Sequence, residues 1–182
     1  MNKKQKKQTQ EVLKKVDISC TVDVAEGFTK ANLRELPSES VEEIICSFLF
    51  NRIPAGKRME FMDEIYRVLV KGGRVLITVP YWSSMRAVQD YGHSWPPVVE
   101  QTFLYFNKAW RDAQKFNEAF APPYLKEWLD SATNYEGKCD FEFTFGYVFD
   151  NDTATRADDT RAHWVKHYVN SVTDLQVTLV KK

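Results

Sequence analysis

The sequence has no excess charge, and its few cysteines are not arranged like metal ligands. Lys plus Arg number 25 and Asp plus Glu number 25, so no overall field attracts nucleic acid. Cys20, Cys46 and Cys139 form an odd set without metal-ligand spacing. They predict free thiols in a reducing, cytoplasmic setting. No apolar run is long enough to cross a bilayer, and Met1 leads into none, so we expect no signal peptide and no membrane partner.

Several catalytic and metal-binding signatures are also missing. Phosphate-loop, kinase and catalytic-triad patterns do not occur. His163 and His167 are four residues apart on a predicted helix, a spacing that can hold zinc. The Glu of H-E-x-x-H is absent between them, however, and no third ligand is evident. The sequence therefore predicts no metal site.

The composition is that of a folded domain: 43% of the residues are hydrophobic and 14% are aromatic. Residues 1–14 form a lysine-rich polar lead, and 15–182 are predicted to be a single domain. The lead could be an arm for nucleic acid, but a solvated tail is the simpler interpretation. Nucleic acid is accordingly not an expected partner.

The most informative segment runs from Phe61 to Pro80, and the helical pattern at its start begins at Lys57. Apolar residues recur at helical spacing up to Leu69, which predicts an amphipathic helix over 57–69. Gly72-Gly73 is then expected to end that helix through a positive φ. The following residues, 74–79, are mostly β-branched and apolar, which predicts a strand covered on both faces.

The rest of the chain alternates between strand and helix patterns, which indicates an α/β fold. Strands are predicted at 15–20, 41–49, 138–149 and 175–180, and helices at 102–117, 123–129 and 153–170. Thr153 or Asp152 is expected to cap the last helix. The long aromatic segment 81–97 is predicted to be a functional loop with one helical turn.

These elements resemble the S-adenosylmethionine-dependent methyltransferases of the Rossmann-like class. Residues 61–80 are similar to the family's E-x-x-R-V-L-K-P-G-G segment before a central strand, and 38–47 to its D-x-S-V-D-x-I. Residues 89–93 and 102–107 look like the D-x-x-H and T-F-x-Y-F pieces of small bacterial and phage-borne members. The resemblance implies a mostly parallel sheet with a C-terminal antiparallel hairpin. Between Leu33 and Ser38 about one strand and one helix are missing by the family's usual spacing.

The resemblance also locates the cofactor-binding positions, and most of them differ from the family's residues. The family's D-I-G-C-G stands here as Asp17-Ile18-Ser19-Cys20-Thr21, so side chains replace both glycines. The ribose-binding Asp falls on Asn32. The positions implied to bind S-adenosylmethionine are Asp17, Ser19, Cys20, Thr21, Asn32 and Ser47.

The best remaining polar cluster for chemistry lies in segment 81–97. His93 could act as a general base and Asp90 could orient it, with Tyr81 close by. The plainer alternative is that Asp90 caps a turn and His93 is a packed loop residue. No D-P-P-Y or N-P-P-F tetrapeptide follows strand 41–49, so methylation of DNA bases has no support.

Three functions remain open from the sequence. The first is a methyltransferase-like pseudoenzyme that has lost most of its affinity for S-adenosylmethionine and acts as a binding or assembly subunit. Its expected partners are a second copy of the chain or an active methyltransferase, because a reduced sheet leaves apolar surface to be covered. The second is an active methyltransferase with an atypical pocket, and the third is an enzyme that cleaves the cofactor.

Overall fold

A computed structural model describes residues 12–19, 33–119 and 136–182 of the chain. Their five strands are β1 (Leu13–Asp17), β2 (Val41–Ser47), β3 (Leu69–Pro80), β4 (Phe141–Phe149) and β5 (Val172–Lys181). Their α-helices are α1 (Arg58–Val68), α2 (Met85–Val88), α3 (Lys108–Ala119), α4 (Asn151–Ala154) and α5 (Asp158–His167). Short 3₁₀ helices cover Leu33–Glu35, Phe50–Arg52, Ala55–Lys57 and Glu100–Phe106.

The strands form one mixed sheet in the order β1-β2-β3-β5-β4. Strands β1, β2 and β3 are parallel, whereas β5 runs antiparallel to both of its neighbours. The predicted α/β fold is thus confirmed, with its mostly parallel sheet and its antiparallel C-terminal pair. Within the described ranges, β1 pairs only with β2. The proposed loss of a strand and a helix stays a prediction.

The topology brings the carboxyl ends of four strands to one edge of the sheet. Because β3 and β4 are both antiparallel to β5, they run in the same direction as each other and as β1 and β2. These strands end at Asp17, Ser47, Pro80 and Phe149. In open α/β sheets this is the edge at which ligands bind.

The junction between α1 and β3 differs from the prediction. Helix α1 ends one residue early, and Leu69, which has an extended backbone and is fully buried, already pairs with Val41 of β2. Gly72 does have a positive φ of 75°, but it lies inside β3 and does not end the helix. It forms part of a bulge, after which Glu43 pairs with Arg74. Burial of Leu69 in the sheet therefore decides where the helix stops.

The core lies between the sheet and α1. Met62 and Ile65 of α1 are fully buried, as are Ile44 and Cys46 on β2. A second group of buried rings, formed by Phe50, Phe61, Phe103 and Phe106, fixes the 3₁₀ helices beside the sheet. This aromatic group supports the segment Glu100–Phe106.

The C-terminal helical region is divided more finely than predicted. The single helix expected over 153–170 is two helices, α4 and α5. The cap is Asp150, whose Oδ1 accepts hydrogen bonds from the amides of Asp152 and Thr153 at 2.8 and 3.2 Å, so the choice of Asp152 or Thr153 was wrong. The helix expected over 102–117 is a 3₁₀ segment followed by α3, with a break at Asn107. The helix predicted at 123–129 lies outside the described residues.

Candidate functional site

The ends of β1 and β2 are joined by short hydrogen bonds, and we call this region the closed end. Asp17 Oδ1 accepts the backbone N–H of Ser19 at 2.8 Å. The Ser19 Oγ in turn accepts the backbone N–H of Ser47 at 2.9 Å, which links the two strand ends. Hydrogen bonds from the Ser19 hydroxyl and amide hold the pKa of Asp17 below its usual range. A hydroxymethyl group thus occupies the position where the resembled family has glycine.

Three of the cofactor-binding positions implied by the resemblance cannot be placed in this geometry. Cys20, Thr21 and Asn32 lie outside the described residues. The described part of the predicted set is Asp17, Ser19 and Ser47, and the structure brings these three together. A role for any of them in binding a cofactor stays a prediction.

The loop after β2 departs from ordinary backbone geometry. Phe48 has a φ of +58°, donates its N–H to the carbonyl of Thr78 at 2.8 Å and lies beneath the guanidinium of Arg86. Asn51 is only 5% exposed, and neither its Nδ2 nor its Oδ1 has a hydrogen-bond partner among the described residues. Burial of an amide without hydrogen-bond partners costs free energy.

The structure places Asp90 and His93 together, as predicted, and adds Arg52 to them. Asp90 Oδ2 lies 2.5 Å from Arg52 Nη2 and 3.6 Å from His93 Nε2. The His93 Nδ1 is 3.2 Å from the carbonyl of Ala87, and since a carbonyl can only accept, this hydrogen bond requires the proton on Nδ1. Asp90 also accepts the N–H of Gly92 at 2.8 Å, which is the main cause of its lowered pKa. Asp90 therefore closes a turn and forms an ion pair.

Tyr81, the third residue predicted for this cluster, is directed elsewhere. Its hydroxyl donates to Glu100 Oε1 at 2.9 Å, and the hydroxyl of Tyr147 donates to the same oxygen. Burial raises the pKa of Tyr81, and hydrogen bonding to Glu100 raises it further. The pKa of Tyr147 is raised for the same two reasons. Both phenols consequently stay protonated donors to one carboxylate.

This carboxylate lies in a cleft of about 700 Å³ above the ends of β3 and β4, which we call the open end. Its aromatic lining consists of Tyr81, Trp82, Tyr147 and Phe149, and α5 contributes Asp158, Arg161 and Lys166. The volume falls in the range of small-molecule sites. The open end is therefore a candidate site on the carboxyl edge of the sheet.

Sequence reasoning missed two residues of the open end, Glu100 and Tyr147. Tyr147 lies within the predicted strand 138–149, and since side chains alternate along a strand, it shares a face with Phe149. Glu100 had no local signal, because its role depends on two tyrosines 19 and 47 residues away. Only the packing of the 3₁₀ helix reveals it.

The remaining chemical candidates are weaker. Cys46 and Cys139 are buried thiols that form no disulfide, and burial raises the pKa of Cys139 to about 12, so Cys139 is a poor nucleophile. The described ranges contain no group of three His, Cys, Asp or Glu side chains that could hold a metal ion. They also contain no helix long and apolar enough to span a bilayer.

Comparison with known proteins gives likeness of fold only. No protein-family model matches the sequence, and neither does any curated protein. Among solved structures, an S-adenosylmethionine-dependent methyltransferase from Archaeoglobus fulgidus is similar, with a TM-score of 0.47 and 11% identity. The alignment covers 82% of this chain and 63% of that protein. This chain thus spans less than two thirds of that protein.

Two further structures show the same kind of likeness. One is an S-adenosylmethionine-dependent methyltransferase from Mesorhizobium loti, with a TM-score of 0.39 and 12% identity over 83% of this chain and 68% of that one. The other is the complex of the Haloferax volcanii Trm112 activator with a methyltransferase. It has a TM-score of 0.36 and 16% identity over 81% of this chain and 56% of that one.

Proposed function

We propose that this protein is a methyltransferase-like pseudoenzyme that acts as a binding or assembly subunit. The observation that carries the proposal is the Ser19 side chain at the closed end. Its Oγ is bonded to the amide of Ser47 at 2.9 Å, so it fills the space between the ends of β1 and β2. A glycine there would leave that space open to a cofactor.

These replacements should lower the affinity of the protein for S-adenosylmethionine. Replacement of a ribose-binding Asp by Asn32 removes a charged acceptor, which costs on the order of 1.5–3 kcal/mol. A ligand entering this space would also have to break the hydrogen bond from the Ser47 amide to Ser19 Oγ, at a further cost of about 1–3 kcal/mol. Together these terms weaken binding by roughly a thousandfold, since each 1.4 kcal/mol is about tenfold. A micromolar site would become millimolar.

The test is calorimetric titration of the purified protein with S-adenosylmethionine and S-adenosylhomocysteine. We expect no binding heat below millimolar ligand. The matched variant is Ser19→Gly, which removes the hydroxymethyl group from the closed end and is expected to bind more tightly than the unmodified chain. Binding of either ligand by the unmodified chain at tens of micromolar would overturn the proposal.

The assembly role rests on the edge of the sheet at β1. Val12 and Leu13 are 41% and 42% exposed, although both are apolar. Such surface favours a partner, either a second copy of the chain or an active methyltransferase. Light scattering over a wide concentration range tests this point, and a monomer at every concentration, alone and mixed with a methyltransferase, would contradict it.

A second candidate function is an active methyltransferase with an atypical pocket. The observation in its favour is the open end, a cleft of about 700 Å³ with a carboxylate on the edge where an acceptor would bind. A related possibility is an enzyme that cleaves the cofactor and does not transfer its methyl group to an acceptor. Product analysis after incubation with S-adenosylmethionine separates the two, because a methylated acceptor is formed only in the first.

A further inference from the structure

We infer that the open end binds a small organic ammonium cation, of the chemical class of choline and other methylated amines. The inference goes beyond the proposed function by naming a second site and the class of ligand it binds. It concerns β3, β4 and the segment Glu100–Phe106, and it does not depend on the closed end or on S-adenosylmethionine. Failure of one proposal therefore leaves the other standing.

The aromatic rings of the open end meet at steep angles. The Tyr81 and Tyr147 ring centroids are 5.3 Å apart with planes at 66°, and Tyr81 and Trp82 are 6.0 Å apart with planes at 60°. These are edge-to-face contacts, and all three rings line the cleft. Trp82 is 49% exposed, so its ring is accessible to a ligand in the cleft. Aromatic faces around a cavity are how proteins recognise quaternary ammonium groups.

Glu100 carries a negative charge that its two tyrosine partners do not compensate. Its Oε1 accepts two phenol hydrogens, and among the described residues no donor reaches Oε2 and no cation pairs with the carboxylate. A half-buried carboxylate without a counter-ion favours a cation beside it. The two tyrosines hold the group in place but leave its net charge uncompensated. A ligand ammonium would supply the missing charge.

The basic residues of α5 are the groups in the cleft that would attract an anion rather than a cation. Arg161 is already paired with Asp158, and its guanidinium lies over the ring of Phe149 at 5.5 Å from the centroid. One ring of the cleft thus already binds a cation through its face. This pairing leaves Lys166 as the one free positive charge among the described residues that line the cleft. The carboxylate and the rings together outweigh it.

The experiment titrates the full chain with choline and follows tryptophan fluorescence and binding heat. The control ligand is the neutral isostere of choline, in which a tert-butyl group replaces the trimethylammonium. We expect saturable binding of choline and at least about tenfold weaker binding of the isostere, because only the cation gains from the ring faces and the carboxylate. Equal affinity for the two ligands, or no binding of choline, would overturn the inference.

Three variants sharpen the result. Glu100→Gln and Trp82→Leu are each expected to weaken choline binding about tenfold. Trp82 is half exposed, so its replacement keeps the test valid if Glu100→Gln fails to fold. Lys166→Ala is the matched control and should bind choline at least as well as the unmodified chain. Saturable binding of inorganic phosphate that is lost in Lys166→Ala, with no response to choline, would show an anion site instead.

Discussion

The closed end and the open end lie on the same edge of one sheet, yet they satisfy their polar groups in opposite ways. At the closed end, Asp17 accepts a hydrogen bond from the amide of Ser19, and Ser19 accepts one from the amide of Ser47 on the neighbouring strand. At the open end, Glu100 is held by two tyrosines but lacks a counter-ion and faces a cleft. A site whose polar groups already bond to one another gains little from a ligand. A carboxylate without a counter-ion, by contrast, gains from a cation beside it.

This difference indicates which end of the sheet edge has room for a ligand. The closed end is the region at which the resemblance predicts the cofactor, and its glycines are replaced. The open end depends on residues that the family motifs do not include, Glu100 and Tyr147. The comparison can be tested by disturbing each end separately.

The largest effect is expected from the support of the open end. Phe103 is fully buried and stacks on Phe50 with a centroid distance of 5.5 Å. Phe103→Ala should lower the free energy of unfolding by about 3–5 kcal/mol, because it removes a large ring and leaves a cavity. Urea denaturation measures the change. Gln101→Ala, at an exposed neighbouring position, should stay within about 0.5 kcal/mol, and a similar loss in both variants would contradict this support role.

A smaller effect is expected at the closed end. Ser19→Ala removes the acceptor of the Ser47 amide and should lower the free energy of unfolding by about 1–3 kcal/mol. The matched control is Ser19→Thr, which keeps the hydroxyl and should retain most of the stability. If Ser19→Ala unfolds at the same urea concentration as the unmodified chain, the hydrogen bonds do not hold the closed end together.

The elements of the fold could be predicted largely because each strand carries its own pattern. Residues 141–149 alternate in sequence and form β4, and the β-branched run 74–79 lies within β3. Boundaries were less predictable when tertiary packing decided them. Gly72 was expected to end α1, but burial of Leu69 against Val41 starts the strand earlier and leaves the glycine in a bulge.

The candidate site was only partly predictable, for a related reason. Asp90 and His93 are three residues apart, so their proximity follows from local spacing. Tyr81 was grouped with them by sequence distance, yet its hydroxyl is directed to Glu100. A contact between residues from a strand end, a 3₁₀ helix and β4 depends on strand order, and no single motif encodes it.

A third prediction tests the phenols at the open end by alkaline titration. The pKa values of Tyr81 and Tyr147 are raised in the folded state, chiefly by burial. Their contribution to stability is therefore complete below the unfolded pKa of about 10 and is lost as the pH rises towards the folded values. The urea midpoint should fall above that pH, and the double variant Tyr81→Phe/Tyr147→Phe should show a smaller fall. An unchanged fall would mean that other groups cause it.

The smallest effect is expected at Asp90, which forms an ion pair with Arg52. The pKa of Asp90 is lowered, first by the N–H of Gly92 and also by the positive charge of Arg52. Its contribution to the free energy of unfolding is therefore present above the unfolded pKa of about 4 and is lost as the pH falls. Asp90→Asn should lower the urea midpoint slightly at neutral pH, and the difference should vanish in acid. Asp159→Asn changes the net charge equally and controls for it. A difference that persists in acid would contradict this prediction, because it would show that Asp90 stabilises the fold without its charge.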